Sequence, residues 1–129
     1  MTIIHAGARE RLGPDNRPEN CSASSAGMFV IRADGTARFD RHHHDIEEFW
    51  FVARGRGTVA LDRQENTVGP GDIVHTPPGV DHDIVCVAEE LHIFWLSGPL
   101  PPGSTGAHLH RDPADAQKHI VPCRSEHPR

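Results

Sequence analysis

Short runs of apolar and β-branched residues, separated by glycine, proline and aspartate, occupy the middle of the chain. They recur about every ten residues, and no segment of helical period lies between them. Three turn signals separate runs: Ala33-Asp34-Gly35 predicts a hairpin, Gly55-Arg56-Gly57 a turn and Pro77-Pro78-Gly79 a break. The pattern predicts an all-β fold, an antiparallel sandwich or barrel. The predicted strands are Met28–Arg32, Thr36–Asp40, Glu47–Arg54, Thr58–Leu61, Thr67–Val68, Asp72–Thr76, Asp83–Val87 and Leu91–Leu96.

The N-terminal part of the chain differs from this strand-rich middle. Residues 1–26 are polar, and Gly13-Pro14 and Arg17-Pro18 block a helix. We therefore predict an extended N-terminal arm with one short strand at Thr2–Ile4, followed by a single β domain over residues 27–97.

The C-terminal part is predicted to be a loop and a tail. Residues 98–129 open with a loop rich in glycine and proline. Asp112 followed by proline is typical of a helix start, which predicts one or two helical turns over Pro113–His119. The last stretch, Val121–Arg129, is expected to be frayed.

Composition excludes several classes of protein. The chain has 129 residues and is 36% hydrophobic, and none of its apolar runs approaches the ~18 residues that a membrane helix needs. The net charge of −5 argues against a nucleic-acid partner, which would need a basic face. The 3 cysteines show no metal or disulfide spacing, and no secretory signal is visible, so we expect a cytoplasmic protein. The 11 histidines, in contrast, need an explanation.

Two segments bring histidine and glutamate together at the spacing of metal ligands. His42 and His44 would lie on the same side of a strand, but Glu48 would be about 13 Å from His44 on a straight strand. Co-ligation therefore needs a bend, for which Asp45-Ile46 is the expected place. His82 opens a later strand, and a barrel could place it beside the first segment. Such a site would offer three imidazoles and one carboxylate.

The same residues carry a resemblance to a known family. Residues 35–86 resemble a cupin: His42, His44, Glu48 and Gly55 match H-x-H-x(3)-E-x(6)-G, and Gly71, Pro77, Gly79 and His82 match G-x(5)-P-x-G-x(2)-H. Gly35 is one residue further upstream than usual, and Cys86 occupies the position of the final Asn. The resemblance implies a conical antiparallel jelly-roll barrel, a double-stranded β-helix. It also implies one divalent metal ion bound by His42, His44, Glu48 and His82, and a homodimer.

The strand Glu47–Arg54 independently supports the expected barrel and the expected homodimer. Glu48, Trp50 and Val52 would face the cavity and Phe49, Phe51 and Ala53 the other side, so a second sheet or a second subunit must cover the strand. Parity also favours Glu48 over Glu47 as the ligand.

Several further residues are possible pocket residues. Trp50 is placed to line the pocket; Cys86 could touch the cavity or be a small core residue; His92 and His75 could line the cavity wall or be core histidines. His43 is expected at the solvent or in an interface. His108-x-His110 is interpreted as tail surface and not as a second metal site, because no partner Glu follows at the right distance.

Three functions remain open for such a site. A set of three nitrogens and one oxygen suits Fe, Mn, Ni, Co, Cu or Zn. We favour metal-centred oxidation of a small organic molecule, because an isomerase needs a positioned base and the chain has 0 Tyr. The alternatives are a metal-dependent isomerase, cyclase or lyase, and a module that only binds metal or ligand.

Overall fold

The computed structural model describes residues 2–124, which form antiparallel β-structure. Two short 3-10 helices, Ala6–Ala8 and Pro113–Ala116, are the helical elements of these residues. The predicted all-β antiparallel fold is confirmed. Within the same residues, no helix is long and apolar enough to cross a membrane. The strands are β1 Ser25–Ile31, β2 Arg38–Phe39, β3 Glu48–Leu61, β4 Gln64–Val68, β5 Ile73–Thr76, β6 His82–Ser97 and β7 His119–Ile120.

Two long strands organise the main sheet. The sheet order is β1-β6-β3-β4, and β5 also pairs with β3. Strand β3 has 14 residues and β6 has 16, so each is long enough to pair with several partners along its length. A separate two-stranded sheet joins β2 to β7.

The predicted turn at Gly55-Arg56-Gly57 is wrong, because β3 continues through these residues. The register with β6 shifts several times between Val52 and Gly57. Gly55 has φ +87°, and a Cβ at this position would lie 1.9 Å from the carbonyl oxygen of Glu90. Gly55 therefore permits a β-bulge, at which the continuous strand β3 bends. A similar irregularity joins the two strands predicted over residues 83–96 into the single strand β6.

The hairpin predicted at Ala33-Asp34-Gly35 is also wrong in its pairing. The chain does turn there, but β1 pairs with β6 and β2 pairs with β7, so the strands on either side lie in different sheets. The strand predicted over Thr36–Asp40 is shortened to Arg38–Phe39.

The N-terminal arm packs on the barrel without the strand predicted at Thr2–Ile4. A 3-10 turn follows at Ala6–Ala8 instead. Leu12 is buried and exchanges backbone hydrogen bonds of 2.8 and 3.2 Å with Ala26, which anchors the arm at the start of β1.

The tail is partly as predicted. Asp112 caps a single 3-10 turn by accepting a hydrogen bond of 3.0 Å from the backbone N–H of Ala114. Val121 is completely buried and its N–H donates to the carbonyl of Ala37 at 2.8 Å, so the prediction of a frayed end is wrong there. Residues 125–129 of that prediction lie outside the described residues.

The core is built mainly from the buried side chains of the main sheet and ends at the candidate site. Burial along the start of β3 alternates, with Trp50 and Val52 inside and Phe51 and Ala53 outside, as predicted. Each large apolar side chain contributes about 1.5–3 kcal/mol when fully buried. The ring of Trp50 lies 5.1 Å from that of His82, so the core continues directly into the candidate site. The core residues are Ile31, Trp50, Val52, Val59, Val68, Val74, Ile84, Val87, Leu91, Ile93 and Val121.

Candidate metal centre

Backbone pairing brings two of the expected ligands together. His42 lies between β2 and β3, and His82 is the first residue of β6. The two residues form an antiparallel bridge, with backbone hydrogen bonds of 2.8 and 3.2 Å. Both side chains are buried, and their Nε2 atoms lie 2.9 Å apart. Two ring nitrogens that face each other this closely can share one proton or bind one metal ion.

The other two expected ligands complete the group. The chain bends at Asp45 and Ile46, where the sequence predicts the bend, and Glu48 then opens β3. As a result Nε2 of His44 lies 3.4 Å from Oε2 of Glu48, and Nε2 of His82 lies 3.8 Å from Oε1. The structure therefore brings the predicted set together: the ligand atoms of His44, Glu48 and His82 lie within 4.8 Å of one another, and His42 adjoins them through its contact with His82. Glu47 faces the other way and contacts His75 at 2.9 Å.

Hydrogen bonds from Nδ1 orient two of the imidazoles. Nδ1 of His42 donates to the carbonyl of Asp40 at 2.6 Å, and Nδ1 of His44 donates to the carbonyl of Ala107 at 3.0 Å. With the proton on Nδ1, each ring directs the lone pair of Nε2 toward the centre of the group. Nδ1 of His82 is buried and has no hydrogen-bond partner within residues 2–124.

The carboxylate of Glu48 is held on both oxygens. Trp50 Nε1 donates to Oε1 at 2.7 Å, and Ser97 Oγ donates to Oε2 at 3.2 Å. All three residues are buried. Partners of this kind restrict a ligating carboxylate to one orientation.

The electrostatics favour neutral imidazoles. Burial lowers the pKa of His82 to about 3, and the neighbouring His42 and His44 act in the same direction. Burial likewise lowers the pKa of His42 to about 4. Neutral imidazole is the form that binds metal, so both rings are ready to ligate at neutral pH. Three such nitrogens and one carboxylate fit a borderline divalent ion.

Three residues of the group, His42, His44 and Glu48, line a cavity of about 520 Å³, whereas His82 is completely buried. Arg11 and Pro14 of the arm reach the edge of the cavity, and Thr105 and Gly106 of the C-terminal segment close another side. Most of the wall is apolar and aromatic, which suits a small organic ligand. The apolar wall residues are Phe29, Phe39, Ile46, Trp50, Trp95 and Leu100.

Of the possible pocket residues, Trp50 lines the cavity and the other three do not. His92 points outward and contacts Glu90 at 2.8 Å, because its neighbours Leu91 and Ile93 take the core positions. His75 is exposed on the outer face of β5. Cys86 is displaced by the register shift between Thr58 and Val59, which lets Val87 rather than Cys86 follow Ile84 into the core.

His108 is exposed at the surface of the tail, as interpreted, but both tail histidines also contact residues next to the candidate centre. The ring of His108 stacks on His42 with centroids 3.5 Å apart, and it lines the cavity although its side chain is 47% exposed. Both histidines contact the carboxylate of the buried Asp40. The H-x-H spacing was the available signal, but Asp40 lies 68 residues away from His108. His43, expected at the solvent, is largely buried against Asp81 at 3.0 Å.

Comparisons with known proteins agree with this architecture. An uncharacterized protein, y4oW, of Sinorhizobium fredii is 37% identical over an alignment of 90 positions, which covers 67% of this chain and 41% of that protein. Quercetin 2,3-dioxygenase of Bacillus subtilis is 24% identical over an alignment of 131 positions, which covers 96% of this chain and 38% of that enzyme. The chain thus spans less than half the length of these two relatives.

Solved structures share the fold. A cupin 2 conserved barrel domain protein from Rhodopseudomonas palustris superposes with a TM-score of 0.60 at 16% identity, over 78% of this chain and 65% of that one. The family described as Cupin domain matches residues 28–97, from the middle of β1 to the end of β6. The matched residues contain all four members of the candidate metal set, and the strands around them form the expected cupin β-barrel. The chain therefore belongs to the cupin family.

Proposed function

We propose that this protein is a divalent-metal-dependent enzyme that acts on a small organic molecule, with His42, His44, Glu48 and His82 as the metal ligands. The observation that carries the proposal is the convergence of these four side chains, of which His42, His44 and Glu48 also line one cavity. An ion held by these four residues would keep coordination positions free for substrate or water. When bound, the ion supplies Lewis-acid polarisation and, if it is redox-active, electron transfer to oxygen.

The protein's own residues prepare this site. The backbone carbonyls of Asp40 and Ala107 accept hydrogen bonds from the rings of His42 and His44 and so orient them. Trp50 and Ser97 orient the carboxylate of Glu48 in the same way, by donating to its oxygens. The aromatic wall of the cavity keeps water away from a bound apolar substrate and strengthens every polar contact inside. A cavity of about 520 Å³ suits a single small molecule that chelates the ion, such as a diol, a diketone or a thiol.

Among the possible reactions we favour metal-centred oxidation. An isomerase or lyase needs a positioned base in the cavity, and His75, His92 and Cys86 all lie outside it. His108 does line the cavity, with its Nε2 on Asp40, and it is the residue that would serve as the base in the alternative isomerase or lyase. Oxidation by oxygen needs a chelating substrate and little acid–base machinery. The similarity to a quercetin 2,3-dioxygenase supports the same choice.

The test of this proposal combines metal analysis with an oxygen measurement. Protein purified without a tag or chelator is expected to contain a divalent metal, and His44→Ala and His82→Ala are expected to remove the ion at this site. His75→Ala is the matched control, since His75 lies on the outer face. Iron-loaded protein should consume oxygen with a member of a chelating-substrate panel. Turnover under argon would instead favour a lyase or isomerase, and protein that never takes up metal would refute the proposal.

We also propose a homodimer through the outward face of the main sheet. Val30, Phe51, Ile73 and Phe94 are exposed there, and Phe51 pairs with Ile73 on one side and Phe94 on the other. A second copy of the chain would cover this outer apolar face, which is the kind of contiguous patch that marks an interface.

The expected cellular setting stays a prediction. Cys21, Cys86 and Cys123 are free thiols, which supports the proposed location in the reducing cytoplasm. A small-molecule substrate, rather than nucleic acid or a membrane, remains the expected partner.

A further inference from the structure

The C-terminal segment brings a second pair of histidines next to the candidate centre. Leu109 and His43 exchange two backbone hydrogen bonds of 2.9 Å, so this segment runs as a short extended strand. His108 and His110 flank Leu109, and residues two apart on an extended segment face the same side. Nε2 of His110 lies 2.6 Å from Oδ2 of Asp40, and Nε2 of His108 contacts the same oxygen.

Asp40 is a buried carboxylate that lacks a permanent counter-charge. It is 7% exposed, and its ion-pair partners within residues 2–124 are three histidines and neither lysine nor arginine. Burying a carboxylate is costly unless a charge compensates it. A divalent cation held between Asp40 and its histidine partners would supply that charge.

We propose that Asp40, His108 and His110 form a second binding site for a divalent transition-metal ion, separate from the set His42, His44, Glu48 and His82. The ligand atoms of the three residues lie within 4.8 Å of one another. Two imidazoles and one carboxylate suit Zn(II), Co(II), Ni(II) or Fe(II) and leave positions for water on the half-exposed side of His108. Each neutral ring carries its proton on Nδ1 when Nε2 binds the ion, and neither Nδ1 has a competing partner within the described residues.

An ion at this place would tie the C-terminal segment to the end of β2. The carbonyls that orient His44 belong to Gly106 and Ala107, directly before His108. The second ion would therefore stabilise the segment that shapes the first site.

Individual histidines separate the two sites. His108 also lies within reach of His42 and His44, so one ion at the first site could recruit it. His110 belongs to the second set alone, and His82 belongs to the first set alone. His110→Asn is therefore the discriminating change. His44→Asn serves as the variant of the first site, because His82 is completely buried and its replacement risks unfolding.

The experiment is a metal titration of untagged, chelator-treated protein. Cobalt(II) is followed by visible absorption, and zinc(II) by elemental analysis after desalting. We expect about two equivalents per chain for the wild type and about one for His110→Asn and for Asp40→Asn. His92→Asn, a control on the outer face, should keep both equivalents. Circular dichroism melting checks that each variant is folded.

The possible outcomes separate this proposal from the first one. Wild-type protein that saturates at a single equivalent, or a folded His110→Asn variant that still binds as much metal as the wild type, would overturn the second site. If His44→Asn left the stoichiometry unchanged while His110→Asn lowered it, the second site would stand and the first would fall. Loss of one equivalent in each variant would support both sites.

Discussion

The indole of Trp50 gives a sharp test of how the metal set is held. Trp50 Nε1 donates to Oε1 of Glu48 at 2.7 Å, and both residues are buried. A hydrogen bond to a charged group contributes about 1.5–3 kcal/mol. Trp50→Phe removes this donor and leaves a ligating carboxylate free to turn. Loss of such an outer partner weakens metal binding about 10–100-fold, or about 1.4–2.7 kcal/mol, which agrees with the strength of the lost bond.

Trp95→Phe is the matched control for this prediction. Trp95 lines the same cavity, but its Nε1 donates to Ser25 Oγ at 2.9 Å and not to Glu48. Calorimetric titration of chelator-treated protein with zinc(II), in the His110→Asn background, isolates the first site. We expect Trp50→Phe to weaken binding there by at least about tenfold and Trp95→Phe to leave it nearly unchanged. Equal losses in the two variants would refute the reasoning, because the effect would then come from the shared aromatic wall.

Three further predictions concern the pH dependence of stability, the β-bulge at Gly55 and the outer apolar face. In metal-free protein, burial lowers the pKa of His82 to about 3 and of His42 to about 4, from the ordinary 6.5 of the unfolded chain. Since the unfolded state takes up protons first, the free energy of unfolding in urea should fall as pH drops from about 6.5 to about 4, and a flat profile would contradict neutral buried rings. Gly55→Ala should lower the free energy of unfolding by about 2–5 kcal/mol, since the new Cβ meets a carbonyl oxygen. Gly35→Ala, at a similar φ but in open space, should lower it by about 1–2 kcal/mol. Equal losses in thermal melts would count against the bulge. Phe51→Glu places a charge within the outer apolar face and should convert a dimer to a 14.2 kDa monomer in light scattering, while a monomeric wild type would exclude the dimer.

The sequence predicts best what depends on local spacing. His42 and His44 share a side because they are two residues apart, and the bend at Asp45 and Ile46 follows from the distance that Glu48 would otherwise have to span. The alternation that places Trp50 inside needs only the parity of one strand. Each of these features is encoded within a few residues.

The alternation of inward and outward side chains does not predict burial correctly where a strand is irregular. The same alternation that succeeds for Trp50 misplaces Cys86, because a register shift intervenes between Ile84 and Cys86. Gly55 is compatible with either a turn or a bulge, and the choice depends on how closely Glu90 approaches from the neighbouring strand. That approach is a tertiary fact, so a single run of residues does not reveal it.

Contacts between distant segments are also beyond local patterns. His110 meets Asp40 across 70 residues, and an aspartate before a histidine-rich run carries no motif of its own. The H-x-H spacing of the tail is visible in the sequence, but no local pattern connects it with Asp40.

Docking of the C-terminal segment and metal binding must be thermodynamically linked. The carboxylate of Asp45 accepts hydrogen bonds from the backbone N–H groups of Thr105 and Gly106 at 2.9 and 2.7 Å, which hold the segment over the cavity. The next carbonyl, that of Ala107, accepts from Nδ1 of His44 and so presents its Nε2 to the centre. An ion that needs this orientation binds the docked state more tightly than the open one. By linkage, the bound ion stabilises the docked state of the segment by the same free energy. The four residues of the family motif therefore act as a preorganised site only together with the segment that follows β6.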